Sequence, residues 1–398
     1  MKAGASLNVL MVAPTSFFSS YGCHVRIAEE ADALRYLGHR VTVVTYHNGG
    51  RWNGLPIERT LPIPWRTSYE VGSSRHKIAF DLLLGLKVMQ VALRERPDII
   101  HAHLHEGALV GFPSHLLTGA PLIFDFQGSL TSEMVDHHFL NPAGAIFGTA
   151  LRLEKVINNL PDAVIASSRR AVRLLREKYG CLKQSVSVVP DCVNGEVFRP
   201  GVLSPEERQA LKASLGIPAH QKVVVYLGLL ADYQGTGLLL AAAAEIKRAR
   251  SDVHFLIMGY PGVDTYTQRA EQLGVHQCTT FTGKINYQDA PRYLALGDVA
   301  VAPKLSATEG VGKVLNYMAM ALPTVAFDTE VSREYMGDAG SYAAPGDAHD
   351  LARALLAALD DAPRAQQDGA ALRRRVLEAY TWQNAGKEIV DIYHACLA

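Results

Sequence analysis

The stretch 222-KVVVYLG-228 is apolar from Val223 to Leu227, too continuous for a strand with one wet face. Strands of this kind belong to parallel sheets whose two faces are both covered by helices. It follows 194-NGEVFRPGVLSPEE-207, a run of Gly, Pro and polar residues that reads as a linker. On either side of that linker the same alternation of apolar runs and helix-length segments occurs. Before it come 8-NVLMVAP-14, 40-RVTVVTY-46, 98-DIIHAH-103, 121-PLIFDFQ-127, 162-DAVIAS-167 and 185-SVSVVP-190, with helical stretches such as 23–38 and 168–180 between them. After it come 253-VHFLIMG-259, 279-TTFTG-283, 298-DVAVAP-303 and 324-TVAFD-328. The expected class is therefore α/β, with two doubly wound domains over 1–195 and 203–379. The segment 382-WQNAGKEIVDIYHACL-397 has helical spacing around Ile389, Ile392 and Tyr393, and a helix over 380–398 is expected to pack back on the first domain. Ligands of open parallel sheets bind beyond the carboxyl ends of the strands, so two such domains predict an interdomain cleft with one substrate on each side.

Composition narrows the class further. The chain has 398 residues, 48% hydrophobic and 20% charged, with a formal net charge of zero. No global attraction to nucleic acid follows from that balance. Five cysteines (Cys23, Cys181, Cys192, Cys278 and Cys396) are scattered without metal-ligand spacing, and read as reduced thiols in a cytoplasm. The start, MKAGASLNVLMVAP, reads as a first strand with no export cleavage pattern after it. No run reaches the about 18 apolar residues of a membrane span. The nearest, Ile78 to Leu93, is interrupted by Asp81, Lys87 and Gln90. It reads as a buried amphipathic helix, or alternatively as a membrane-surface helix with Arg75, His76 and Lys77 at headgroup level.

Two motifs could carry chemistry. The first is 309-EGVGKVLNYMAMALP-323, in which Gly310 and Gly312 leave the backbone uncrowded at the mouth of a helix. Helical spacing puts Val314, Tyr317, Met318 and Ala321 on one side. Free amides and the macrodipole at a helix start attract phosphate, and Lys313 adds a point charge in the first turn. A Walker loop is excluded, because Val314 follows the lysine where Ser or Thr is required. The second is 101-HAHLHEG-107. Strand alternation would place His101, His103 and His105 on one face, with Glu106 adding an acid, and three histidines can bind zinc. A buried polar network and contacts to an acceptor substrate are the other readings of this run.

The sequence resembles the retaining glycosyltransferases of family 4, enzymes of GT-B fold in the glycogen-synthase-like superfamily. The resemblance rests on Lys313-Val-Leu-Asn316-Tyr317-Met318-Ala319-Met-Ala321-Leu-Pro323, which follows a family variant with Asn316 for glutamate and Ala321 for glycine. It extends over an ordered set: 22-GCHVRIAEEADALRYLGHRVTVVT-45, 97-PDIIHAH-103, 162-DAVIASS-168, 188-VVPDCVNGEVFRP-200 and 292-RYLALGDVAVAP-303. It implies two Rossmann-like domains facing a cleft, and sugar transfer from a nucleotide diphosphate-sugar to a glycan, lipid-linked or small-molecule acceptor with retention. It implies no metal and no cofactor beyond the nucleotide-sugar co-substrate. The second domain would bind the donor and the first the acceptor. Glu309 would sit near the donor sugar, with the amides of Gly310, Val311 and Gly312 on its hydroxyls and Val314 beside them. Asn316 would replace the carboxylate that grips the ribose with neutral hydrogen bonds. Lys284 and Ile285 would lie near the base. Gln127 stands where the family often has a histidine near the reacting centre. Gly22, His24, His105 and Glu106 would be on the acceptor side.

One departure weighs on the donor. Family members carry Gly-Arg-Leu and then Lys-Gly to clamp the diphosphate, whereas 228-GLLADYQG-235 offers Gly228 with Leu229, and Gln234 with Gly235. Lys313, and secondarily Lys304, would have to supply the missing charge. The expected function is a metal-independent glycosyltransferase in the cytoplasm, with peripheral contact to the inner face of a membrane as a further expectation. A non-catalytic sugar-nucleotide-binding subunit, and another enzyme of the fold such as an epimerase or phosphorylase, are the alternatives.

Overall fold

The computed structural model describes residues 6–19, 22–62, 77–136, 139–183, 185–305 and 310–398. The chain divides after Asp191 into two units, the first of which also takes in Trp382–Ala398. In chain order the first unit contains β1 (Asn8–Ala13), α1 (Gly22–Tyr36), β2 (Arg40–Thr45), β3 (Ile57–Arg59), α2 (Lys77–Glu95), β4 (Ile99–His103), α3 (Leu104–Thr118), β5 (Leu122–Phe126), α4 (Leu130–Asp136), α5 (Phe147–Ile157), β6 (Ala163–Ala166), α6 (Arg169–Glu177) and β7 (Val186–Val188). The second unit contains α7 (Pro205–Ser214), β8 (Lys222–Leu227), α8 (Thr236–Ala249), β9 (Val253–Met258), α9 (Val263–Gln272), β10 (Thr279–Gly283), α10 (Ala290–Leu294), β11 (Val299–Ala302), α11 (Gly312–Ala319), β12 (Thr324–Phe327), α12 (Glu330–Met336), β13 (Ser341–Ala343), α13 (Ala348–Asp360) and α14 (Ala362–Ala379). The last helix, α15 (Trp382–Leu397), belongs to the first unit.

Each unit is built on one sheet with every pairing parallel. The strand orders are β3-β2-β1-β4-β5-β6-β7 and β10-β9-β8-β11-β12-β13. The central strands β1, β4, β5, β6, β9, β11 and β12 are buried at every residue, which explains their uninterrupted apolar sequences. In both sheets the chain leaves the first central strand, builds outward, and returns to its other side. This creates a switch point between β1 and β4 and another between β8 and β11, where neighbouring crossovers diverge and leave a crevice at the strand ends. The two outermost strands that the sequence does not announce, β3 and β13, are three residues long with half-buried residues, too short for an apolar run.

In the first unit α15 lies along α1, so closely that a Cβ on Gly386 would stand 3.1 Å from the Ala33 methyl. On the other side of the sheet, α2 buries Phe80, Leu84, Val88, Val91 and Ala92. It is not a buried helix, however: Ile78, Leu82, Leu86 and Leu93 on its outer side are all exposed. Among the described residues no helix is long and apolar enough to cross a membrane. All five cysteines are free thiols.

In the second unit His254 on β9 is buried, with Nε2 2.8 Å from Thr280 Oγ1 and Nδ1 3.2 Å from Gln221 Oε1. Burial, helped by the nearby Lys212 ammonium, pulls its pKa from 6.5 down to about 4. A depressed folded-state pKa means that the unfolded chain binds the proton more tightly, so stability is present above pH 6.5 and is lost as pH falls towards 4. Thermal unfolding followed across that window is expected to show the loss, and His254→Asn to flatten it.

Candidate active site

Beyond the end of β8 the second unit brings a cation together with several groups that aim it. Lys313, in the first turn of α11, extends its ammonium to Gln234 Oε1 at 2.9 Å and Tyr226 Oη at 3.2 Å, with the Tyr226 ring centroid at 4.3 Å. The ammonium lies over Gly228: a Cβ at that residue would fall 2.3 Å from Lys313 Nζ, and φ of 154° already favours glycine there. Gly235 is equally constrained, with φ of 75° and a would-be Cβ 1.9 Å from the Pro303 carbonyl oxygen. Tyr226 donates to the Leu229 carbonyl (2.7 Å), and its buried hydroxyl is pushed well above the usual phenol range.

What holds α11 in place is Tyr317. Its hydroxyl is fully buried and accepts the Leu227 N–H at 2.7 Å, tying the helix directly to the last residue of β8. Val314, Tyr317 and Met318 share the buried side, as their spacing predicts. Ala321 does not: the helix ends at Ala319 and Ala321 turns with φ of 56°. Val311 precedes the helix, and Gly312 opens it. Asn316 is half-buried in the helix, Leu229 is half-buried after β8, and Lys284 and Ile285 follow β10, exposed and half-buried respectively. Glu309, Arg75, His76, His137 and His138 lie outside the described residues.

The first unit has a different centre, a buried ionic network between β4, β5 and α1. Arg26 donates to both Asp125 oxygens, from Nε at 2.9 Å and a terminal nitrogen at 2.8 Å, and to Asp191 at 3.0 Å. His103 Nδ1 lies 3.1 Å from Asp125 Oδ2, and His101 Nδ1 lies 2.6 Å from the Tyr393 hydroxyl of α15. Glu30 Oε1 is 3.0 Å from Arg26 Nε. Burial would raise the Asp125 carboxyl, but the Arg26 guanidinium and the His103 bond hold it well below the usual carboxylate range. Glu30 goes the other way: burial, reinforced by the Asp125 charge, lifts it well above that range. The two carboxyls are thus shifted in opposite directions, Asp125 towards the ion and Glu30 towards the protonated acid. Burial likewise keeps His101 and His103 neutral, lowering both.

Glu30, His101, His103 and Asp125 bring possible ligand atoms within 4.8 Å of one another, a composition that could hold a metal ion. The cation that stands among them is the Arg26 guanidinium. His105 does not join them. The strand ends at His103, so His105 falls on α3, where its ring packs edge-on against Phe124 and Phe126. Strand alternation over three histidines was the wrong period beyond His103. His105 and His24 are 3% and 2% exposed, and His24 Nδ1 accepts the Ser19 N–H at 2.8 Å. Glu106 is half-buried and paired with Lys77, and Gly22 is exposed at the start of α1. Gln127, just past β5, donates from Nε2 to Asp125 Oδ2 at 2.8 Å.

The family description "Glycosyl transferase 4-like domain" matches residues 21–192, and "Glycosyl transferases group 1" matches 221–361. The chain belongs to the glycosyltransferases. It is 25% identical to the D-inositol 3-phosphate glycosyltransferase of Corynebacterium aurimucosum over 74% of this chain and 71% of that one. It is also 25% identical to the phosphatidyl-myo-inositol mannosyltransferase of Mycolicibacterium smegmatis, over 97% and 93% of the two chains. Among solved structures, Anabaena Alr3699/HepE in complex with UDP-glucose superposes with a TM-score of 0.78 at 17% identity, covering 98% of this chain and 100% of that one. The fold is GT-B, and the enzyme is a transferase of the glycosyl class.

Arg26, Glu30 and Asp125 of this glycosyltransferase escaped the sequence reading, and Tyr393 entered it only as a helix position, although Arg26 and Glu30 are charges on a helix otherwise suited to burial. Removing one partner of a buried pair strands the other charge, at about 3–5 kcal/mol. Asp125→Ala is therefore expected to lower the denaturant midpoint strongly. Gln127→Ala forfeits one partly exposed hydrogen bond, about 1 kcal/mol, and is expected to leave the midpoint nearly unchanged.

Proposed function

We propose that this glycosyltransferase takes a hexosyl or related sugar from a nucleoside diphosphate donor and passes it to an acceptor hydroxyl with retained configuration. The observation that carries the reading is the Lys313 ammonium, held by Gln234 and Tyr226 over the bare backbone of Gly228. Gln234 and Tyr226, both neutral, orient the ammonium. At position 234, where the resembled enzymes present a cation, this chain presents the acceptor that aims one from α11. The clamp is rebuilt from the other side of its own strand end.

The chemistry follows from charge development. As the bond between the anomeric carbon and the phosphate oxygen breaks, the departing diphosphate gains negative charge. The same carbon bonds to the acceptor oxygen, whose proton passes to the departing phosphate. A fixed ammonium and the first N–H groups of α11 stabilise that charge more in the transition state than before it. Glu309 and the amides at Gly310 to Gly312 serve the sugar hydroxyls in this reading, Asn316 the ribose, and Lys284 and Ile285 the base. Gln127, its amide nitrogen engaged by Asp125, offers its carbonyl oxygen to a sugar hydroxyl. Gly22, His24, His105 and Glu106 serve the acceptor side in this reading. A cytoplasmic site of action, with peripheral contact to a membrane that presents lipid-linked acceptors, completes the proposal.

Screening UDP-, GDP-, ADP- and dTDP-sugars by thermal shift is expected to identify a donor that raises the melting temperature. If none does, the proposal fails. With that donor, Lys313→Ala is expected to lower kcat by about 10²- to 10³-fold, and adding Gln234→Lys to it should restore part of the loss. An unchanged kcat in Lys313→Ala would remove the lysine from the reaction. The anomeric signal of the product, followed by NMR from the first turnovers, tests retention.

A further inference from the structure

None of the residues assigned above to sugar transfer lies on the outer surface of α5 and α6 in the first unit, where apolar side chains and cations meet. Ile146, at the start of α5, is 71% exposed, and Leu153 and Val156 are 48% and 57% exposed. Their spacing puts the three on one side of the helix. Leu182, after α6, extends the stripe at 85% exposure. It is joined to α5 by hydrogen bonds: the Leu182 N–H donates to Asn159 Oδ1 at 2.8 Å, and Asn159 Nδ2 donates to the carbonyls of Lys155 and Gly180. The stem of Lys155 also covers Gly180, whose would-be Cβ lies 3.1 Å from it. The end of α5 and the turn after α6 are thus one surface.

That surface is cationic. Within 169-RRAVRLLREKYGCLK-183 four arginines and two lysines stand against Glu177, in a chain whose formal net charge is zero. Arg169, Arg173 and Arg176 are exposed at helical spacing along one side of α6, and Lys178 is exposed at its end. Arg152 and Lys155 are exposed beside the apolar stripe, while the acid of the same helix, Glu154, points inward to Thr131.

We propose that the α5–α6 face docks on an anionic lipid bilayer, independently of which donor the enzyme uses. Leucine, valine and isoleucine side chains enter the headgroup boundary while arginines and lysines meet the phosphates beside them. A second copy of the chain fits this surface poorly. A two-fold interface would bring the same block of cations face to face with itself.

Co-sedimentation with vesicles tests the assignment. The full chain is expected to bind vesicles of phosphatidylcholine mixed with phosphatidylglycerol, to bind pure phosphatidylcholine far less, and to release with added salt. Lys178→Glu with Lys183→Glu, and separately Leu153→Gln with Leu182→Gln, should each lower the partition coefficient by about 10-fold or more. The melting temperature, measured alongside, should stay at the wild-type value and so exclude misfolding. Equal partition of wild type and variants, or no preference for the anionic vesicles, overturns the proposal. A concentration-dependent dimer abolished by the same variants also overturns it, in favour of a second copy. The assay contains no nucleotide sugar, so its failure leaves the donor reading intact.

Discussion

Every strand in both sheets pairs in parallel, and that constraint decides where chemistry can occur. A parallel sheet needs helices on both faces, so its strands are dry and its faces are closed to substrates. Polar side chains that must meet a ligand are confined to the loops at the carboxyl ends, above all where the strand order reverses. In the second unit the reversal falls between β8 and β11, and Gly228, Gln234 and Lys313 are found at the end of β8. In the first it falls between β1 and β4, and His103 ends β4 beside Asp125 and Gln127.

The two units aim their cations through different groups. In the first, Arg26 is enclosed by acids, and the surroundings shift those acids apart, Asp125 down and Glu30 up. This arrangement spends its charge internally and fixes geometry: it ties α1 to β5, reaches Asp191 at the end of the unit, and engages the amide of Gln127. In the second, the named partners of Lys313 are an amide and a phenol. They set the direction of the ammonium.

The large elements were legible because their signals are redundant. Runs such as 8-NVLMVA-13 and 253-VHFLIM-258 can be little else than strands buried on both faces, and α1, α6 and α15 announce themselves by spacing. Where the signal was short it failed. The three-residue edge strands β3 and β13 lack a run to recognise, unlike β7, and the histidine alternation in HAHLH concealed the change from a period of two to one of 3.6 at Leu104. The outer leucines of α2 misled in a different way, because periodicity shows which residues share a side and not whether anything covers it.

By itself the sequence determined the fold class, the order of the strands along the chain and the helix start that carries Lys313, since each depends on residues close together in the chain. The glycosyltransferase resemblance had the same basis, an ordered series of local motifs. Only the tertiary structure decided that Gln234 receives Lys313, across 79 residues, and that Arg26 finds Asp125 across 99. A hydrogen-bond partner is chosen by proximity in space, and in a parallel sheet each neighbouring strand lies a whole crossover away along the chain. Local pattern therefore names the groups that can react, and the packing of the sheet selects which of them meet.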